Sequence, residues 1–257
     1  VFAKVKPITQ FIGQNIIYFN QVDSSNHFAI ELLKQKMANN GDVVLAEFQS
    51  AGKGQGKKLW ESEAFKNLLF SIILKPVTKT STDPFIINKT IALALQQYIA
   101  QILPKEKVEI KWPNDLLVNN KKICGILIEN NFTGNVLNYS VIGIGLNVNQ
   151  DFQNAKHIDA SSLRDYKNTE LDRTEILKNL LEHIEPLIIK ALKNDTSAIK
   201  QDFDKALKGH QIVNLYEINQ QTVPGIVKSC DDFGRLIVEI DGQDQAFIHG
   251  QIKQYIS

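Results

Sequence analysis

Apolar positions recur at helical spacing over residues 26–38, 84–103, 174–193 and 196–207, most clearly at Ile176, Leu177, Leu180, Leu181, Ile184, Leu187 and Ile188. Each stretch predicts a helix, and Pro186 predicts a kink or a division in the third. Between them lie short strand-like runs at 16–19, 43–48, 67–74, 108–112, 116–118, 123–129 and 139–147. Asn119-Asn120 separates two of these runs and is a hairpin turn signal. After Gly209 the helical period disappears. Strands are expected at 211–217, 225–230, 236–240 and 245–248, with Asp232-Phe233-Gly234 and Asp241-Gly242 as turns. The pattern therefore predicts a domain of helices and strands over 1–208, then a small closed β-barrel over 209–257.

Charge changes at the same boundary. Six acidic residues beyond Gly209 face Lys228, Arg235 and Lys253, so the last segment carries −3 and the rest +4. The whole chain is close to neutral at +1, which argues against a non-specific nucleic-acid binder. At 257 residues it can bury a core without staples. Its two cysteines, Cys124 and Cys230, make neither a disulfide framework nor a zinc spacing, which suits a reducing, cytoplasmic compartment. No run of about 18 apolar residues is present, so no membrane-spanning helix is expected.

Four segments could carry chemistry. In Gly52-Lys-Gly-Gln-Gly-Lys-Lys-Leu-Trp60, alternating glycines let the backbone amides form an anion nest beside Lys53, Lys57 and Lys58. A plain surface turn is an equal reading on composition alone. The spacing fits neither a Walker loop nor a dinucleotide fingerprint. Lys111-Trp-Pro-Asn-Asp115 ends a strand, where Pro113 stops the ladder and splays polar groups that can meet a phosphate and a hard cation. Gly125, inside the following apolar strand, marks a close approach to the backbone. Gly143-Ile-Gly-Leu-Asn-Val-Asn149 reads as a strand whose polar face lines a pocket, or as a bulged strand. Asp23-Ser-Ser-Asn26 reads as a helix N-cap that could also hold a small polar ligand, with His27 a surface or cap residue.

The order of these segments resembles the biotin protein ligases, over residues 15–257. The specific element is Lys111-Trp-Pro-Asn-Asp115 followed by Lys122-x-x-Gly125-Ile-Leu. The resemblance implies an α+β fold: a mixed, mainly antiparallel sheet with helices packed on it, then a small SH3-like β-barrel. It implies adenylation of biotin by ATP with Mg²⁺, then transfer to a lysine of a biotin carboxyl carrier domain. Ser24, Ser25, Asn26 and Gln49 are expected at the biotin end, with Gly52, Lys53, Gly54 and Gln55 covering the ligand and Gly125 beside it. Lys122 is expected near the biotin carboxylate. Trp60 is expected against adenine, and Lys58, Lys111, Asn114 and Asn147 at the nucleotide. Lys111, Lys122, Lys53 and Asp115 are the expected catalytic groups, with Asp115 also the metal ligand. The resemblance is compatible with homodimerisation through an edge of the main sheet. Lipoate ligases and octanoyl transferases share the fold and are the competing reading.

Two departures stand out. The family's loop reads Gly-Arg-Gly-Arg-x-Gly; here Lys53 and Gln55 replace the arginines and Gly56 comes one place early. A bidentate clamp is thus replaced by a point charge and a neutral amide. Only 22 residues precede Asp23, which leads to the expectation of a ligase without a DNA-binding repressor domain.

Overall fold

The computed structural model describes residues 5–56, 58–75, 83–134, 136–152 and 159–254. Seven strands form one sheet: β1 (Ile16–Val22), β2 (Val43–Gln49), β3 (Leu68–Leu74), β4 (Val108–Lys111), β5 (Asp115–Val118), β6 (Lys121–Thr133) and β7 (Val136–Leu146). Their order is β1-β2-β3-β7-β6-β5-β4, with β1 parallel to β2 and every other pair antiparallel. Five helices accompany it: α1 (Ser25–Lys34), α2 (Ile86–Ile102), α3 (Leu163–Lys167), α4 (Arg173–Leu192) and α5 (Ser197–Ala206). A second sheet holds β8 (Val213–Ile218), β9 (Gln221–Cys230), β10 (Leu236–Ile240), β11 (Gln243–Phe247) and β12 (Ile252–Gln254), in the order β11-β10-β9-β8-β12. The chain is thus α+β, a mixed and mainly antiparallel sheet with helices on it, followed by a small SH3-like β-module. No β11–β12 pairing closes that module among the described residues.

Period-2 alternation divides the main sheet into two faces. Val43, Leu45, Leu68, Phe70, Ile72, Ile142, Ile144, Leu146, Cys124 and Ile126 belong to the large core shared with α2, α4 and α5. The alternate residues face α1: Val44, Ile73 and Val141 pack with Ala29 of that helix. Further along this second face the side chains become small or polar, and helix cover ends. Ser71 pairs with Gly143, which pairs with Leu127; two residues on, Leu69 pairs with Gly145, Gly145 with Gly125 and Gly125 with Asp115. These two rows are the floor of a cavity.

Several expectations change. Pro186 stays inside α4, which is continuous; its side chain is exposed, so the ring meets solvent rather than the core. The short α3 escaped the periodicity reading, although Ser162 and Asp165 form a capping box at its start. Asn119 and Asn120 both take positive φ at the β5–β6 hairpin, as do Asp241 and Gly242 at the β10–β11 turn. Asn219 and Gln220 do the same between β8 and β9, so β9 begins at Gln221 rather than 225.

Two contact sets seat the second sheet on the first. The turn after β9 enters a socket: Phe85 N–H donates to Asp232 O, Trp112 Nε1–H to Gly234 O at 2.9 Å, and Cys230 N–H to Asp204 Oδ1. Beneath it, Lys200 lies 2.6 Å from Asp232 and 3.1 Å from Asp83, with fully buried Lys89 3.6 Å from Asp83. Removing one member would unbalance the two-against-two charge around fully buried Lys89.

Candidate active site

The cavity measures about 680 Å³ and runs along the α1 face of the main sheet to the second sheet. Ser24, Ser25, Asn26, Gln49, Lys53, Gly54, Gln55, Lys58, Trp60, Lys111, Asn114, Asp115, Lys122 and Gly125 all line it. Fourteen of the expected site residues thus meet in one place. Gly52 and Asn147 are not among the lining residues, and Lys57 lies outside the described residues.

At one end, Ser24 caps α1 in extended conformation, its hydroxyl accepting from His27 N–H. His27 is an exposed partner of Asp23. Ser25 and Asn26, in the first turn of α1, are buried against β3 and β6. Ser71 Oγ lies 2.7 Å from Ser25 Oγ and 2.6 Å from Asn26 Oδ1. Asn26 Nδ2 donates to Glu129 Oε2 and Leu127 O. Gly143 is required here: an added Cβ would lie 2.4 Å from Asn26 Oδ1. Sequence reading missed Ser71 and Glu129. The signal was present in Ser71, the one polar residue in Leu68–Leu74.

In the middle lies Trp60. The chain folds back between Gly52 and Trp60, with Trp60 N–H donating to Gly52 O and Gly54 N–H to Lys58 O. The indole rests on the paired Gly125 and Gly145, where added Cβ atoms would come within 2.7 and 2.5 Å of the ring. Lys122 Nζ lies 5.3 Å from the ring centroid. Trp60 is thus over the glycine floor between the two ends, and its buried Nε1–H has no acceptor.

The other end is cationic. Lys53, Lys58, Lys111, Lys122, Lys208 and Lys253 line the cavity against Asp115 and Asp159. Lys122 pairs with Asp115 at 2.6 Å. Asn114 is bound to β6 by its side chain, donating to Ile126 O at 2.8 Å. Burial chiefly, with nearby Lys111 and Lys107 adding and Glu109 opposing, holds the Lys208 ammonium below the ordinary lysine range. Trp112, His249, Gly250 and Tyr216 complete the wall, so the second sheet contributes directly. Among the described residues no group of three or more His, Cys, Asp or Glu side chains could hold a metal alone.

Asn147 is buried, and its Nδ2 donates to Ser161 O, tying the strand end to the segment before α3 instead of facing the cavity. Asn149 does the same with Leu171. Cys124 is a buried core residue whose thiol burial pushes far up, so it is no nucleophile.

Fold and cavity together define a binding unit that passes from hydrogen-bonding groups, through an aromatic slot, to a bank of lysines. The solved structure of the biotin protein ligase from Aquifex aeolicus in complex with biotin and ATP has a similar fold, with TM-score 0.76 at 22% identity, covering 95% of this chain and 100% of that one. The model of the biotin/lipoate A/B protein ligase family matches residues 18–147, and the chain belongs to that family. Its relatives include the bifunctional ligase/repressor BirA of Bacillus subtilis, 33% identical over 176 residues, 67% of this chain and 53% of BirA. The biotin–[acetyl-CoA-carboxylase] ligase of Mycobacterium tuberculosis is 29% identical over 216 residues, 83% of this chain and 79% of that protein. The chain thus spans about half the length of the Bacillus relatives.

Proposed function

We propose that this chain is an ATP-dependent, AMP-forming biotin protein ligase, with a catalytic unit over 1–208 and an accessory β-module over 209–257. The observation that carries the reading is one cavity that joins a buried polar cluster, a glycine-floored aromatic residue and six lysines. Those surroundings suit a bicyclic urea at the polar cluster and a nucleotide whose base meets Trp60 and whose phosphates meet the lysines.

Two anions must meet in the first step. A biotin carboxylate oxygen attacks the α-phosphorus of ATP; the bond to the pyrophosphate oxygen breaks, leaving a mixed anhydride. Lys111 and Lys122 offset the repulsion at the reacting groups, and Lys53 and Lys58 approach from the loop. Fixed charges of this kind lower the barrier because they need no reorganisation as charge develops. Asp115 would be the protein carboxylate for Mg²⁺ carried on the phosphates, which would supply further neutralisation. Asp115 also anchors Lys122, so removing it would misplace that ammonium. In the second step an acceptor lysine, neutral at its Nζ, attacks the acyl carbon and AMP leaves. The acceptor is the lysine of a biotin carboxyl carrier domain.

ATP–pyrophosphate exchange with biotin, lipoate or octanoate tests the reading. Exchange with biotin alone is expected; exchange with lipoate or octanoate instead would assign the chain to the sister ligases.

A further inference from the structure

The polar end contains a hydrogen-bond chain whose direction is set at one terminus. The carboxylate of Glu129 and the carbonyl of Leu127 can only accept, and both face Asn26 Nδ2, at 2.8 and 3.2 Å. The Asn26 amide is thereby fixed with Oδ1 toward Ser71. The Ser71 hydroxyl has one proton and two neighbours, Asn26 Oδ1 and Ser25 Oγ. Asn26 Oδ1 can only accept, so it takes that proton. Ser71 must then accept from the Ser25 hydroxyl. Ser25, its proton spent inward, turns oxygen lone pairs to the cavity it lines.

The neighbouring amide is fixed in the same way. Gln49 Oε1 accepts from Ser25 N–H at 2.7 Å, which turns the NH₂ of Gln49 the other way. This end of the cavity therefore offers an acceptor at Ser25 and a donor at Gln49. We infer that Glu129 is a positioning residue for substrate choice: acting through Asn26 and Ser71, it makes Ser25 an acceptor, so that the site demands a ligand N–H beside a carbonyl. A cyclic urea meets that demand. An acid whose distal end has no N–H leaves the buried Ser25 lone pairs without a donor, and an unmet buried polar group discriminates strongly. The inference rests on the proposed function, since it concerns which acid that reaction activates.

The test is ATP–pyrophosphate exchange with biotin, desthiobiotin (which keeps the urea) and lipoate, in the native protein and in Glu129→Leu, Glu129→Gln and Ser71→Ala. For Glu129→Leu and Ser71→Ala, KM for biotin and desthiobiotin should rise about tenfold or more, as expected for losing hydrogen bonds in a buried chain. The kcat and the KM for ATP should stay within about twofold, since uniform ground-state binding is what has been removed. Glu129→Gln retains a carbonyl acceptor and should restore most of the biotin KM. If Glu129→Leu does not fold, Ser71→Ala carries the test alone. An unchanged biotin KM, or equal rises for biotin and ATP, would overturn the inference while leaving biotin activation intact. Native exchange with lipoate or octanoate and none with biotin, or no exchange with any acid, would overturn the underlying reading and the inference with it.

Discussion

At the polar end of the cavity, Ser25, Asn26, Ser71 and Gln49 bond to one another and to backbone. At the phosphate end, Lys53, Lys58 and Lys111 have no ion-pair partner among the described residues, and Lys122 has only Asp115. The first end is a solid template, its donors and acceptors fixed by neighbours that are themselves fixed. The second is a concentration of like charge, unfavourable alone and relieved by an anion. Shape and hydrogen-bond polarity choose the acid; field strength drives its chemistry. The Trp60 slot separates the two, which is why changes at one end should leave the other nearly untouched.

The largest break is expected from Lys111→Ala. Loss of one preorganised charge at the reacting phosphate should lower the exchange rate about 100-fold or more. Biotin affinity, measured by calorimetry without nucleotide, should be unchanged. Gly143→Ala attacks the opposite end. Its Cβ would lie 2.4 Å from Asn26 Oδ1, so the amide must move and biotin binding should weaken by about tenfold, with KM for ATP preserved. Salt sharpens the contrast further. From about 0.05 to 0.5 M ionic strength, KM for ATP should rise several-fold as the lysine field is screened, while biotin affinity stays flat. The smallest effect is expected from Trp112→Phe, which keeps the ring and removes the bond to Gly234 O. That should cost about 1 kcal/mol of stability, read by denaturant titration, with a modest rise in KM for ATP.

Much of this was legible because local chemistry and global fold agree. Asn119-Asn120 announced its hairpin because asparagine tolerates positive φ; Asn219-Gln220 did not, since glutamine seldom adopts it. The three residues of β12 carry no period of their own and become a strand only by pairing with β8. Lys111, Asp115 and Gly125 were singled out by a proline-ended strand and an in-strand glycine, and Lys122 by the resemblance; all four line the cavity. Glu129 and Ser71 were not, because their roles exist only once β3, β6 and α1 are side by side. The place of Asn147 was hidden for the same reason: its partner, Ser161, is 14 residues away and becomes a neighbour only after folding.

Calorimetric titration of biotin into nucleotide-free protein, native and with Asn26→Leu or Lys111→Ala, tests the division of labour most directly. Biotin should bind the native protein and Lys111→Ala alike, and should bind Asn26→Leu far more weakly. Binding that requires ATP, or that is lost equally in both variants, would contradict a prebuilt ring end acting apart from the lysines.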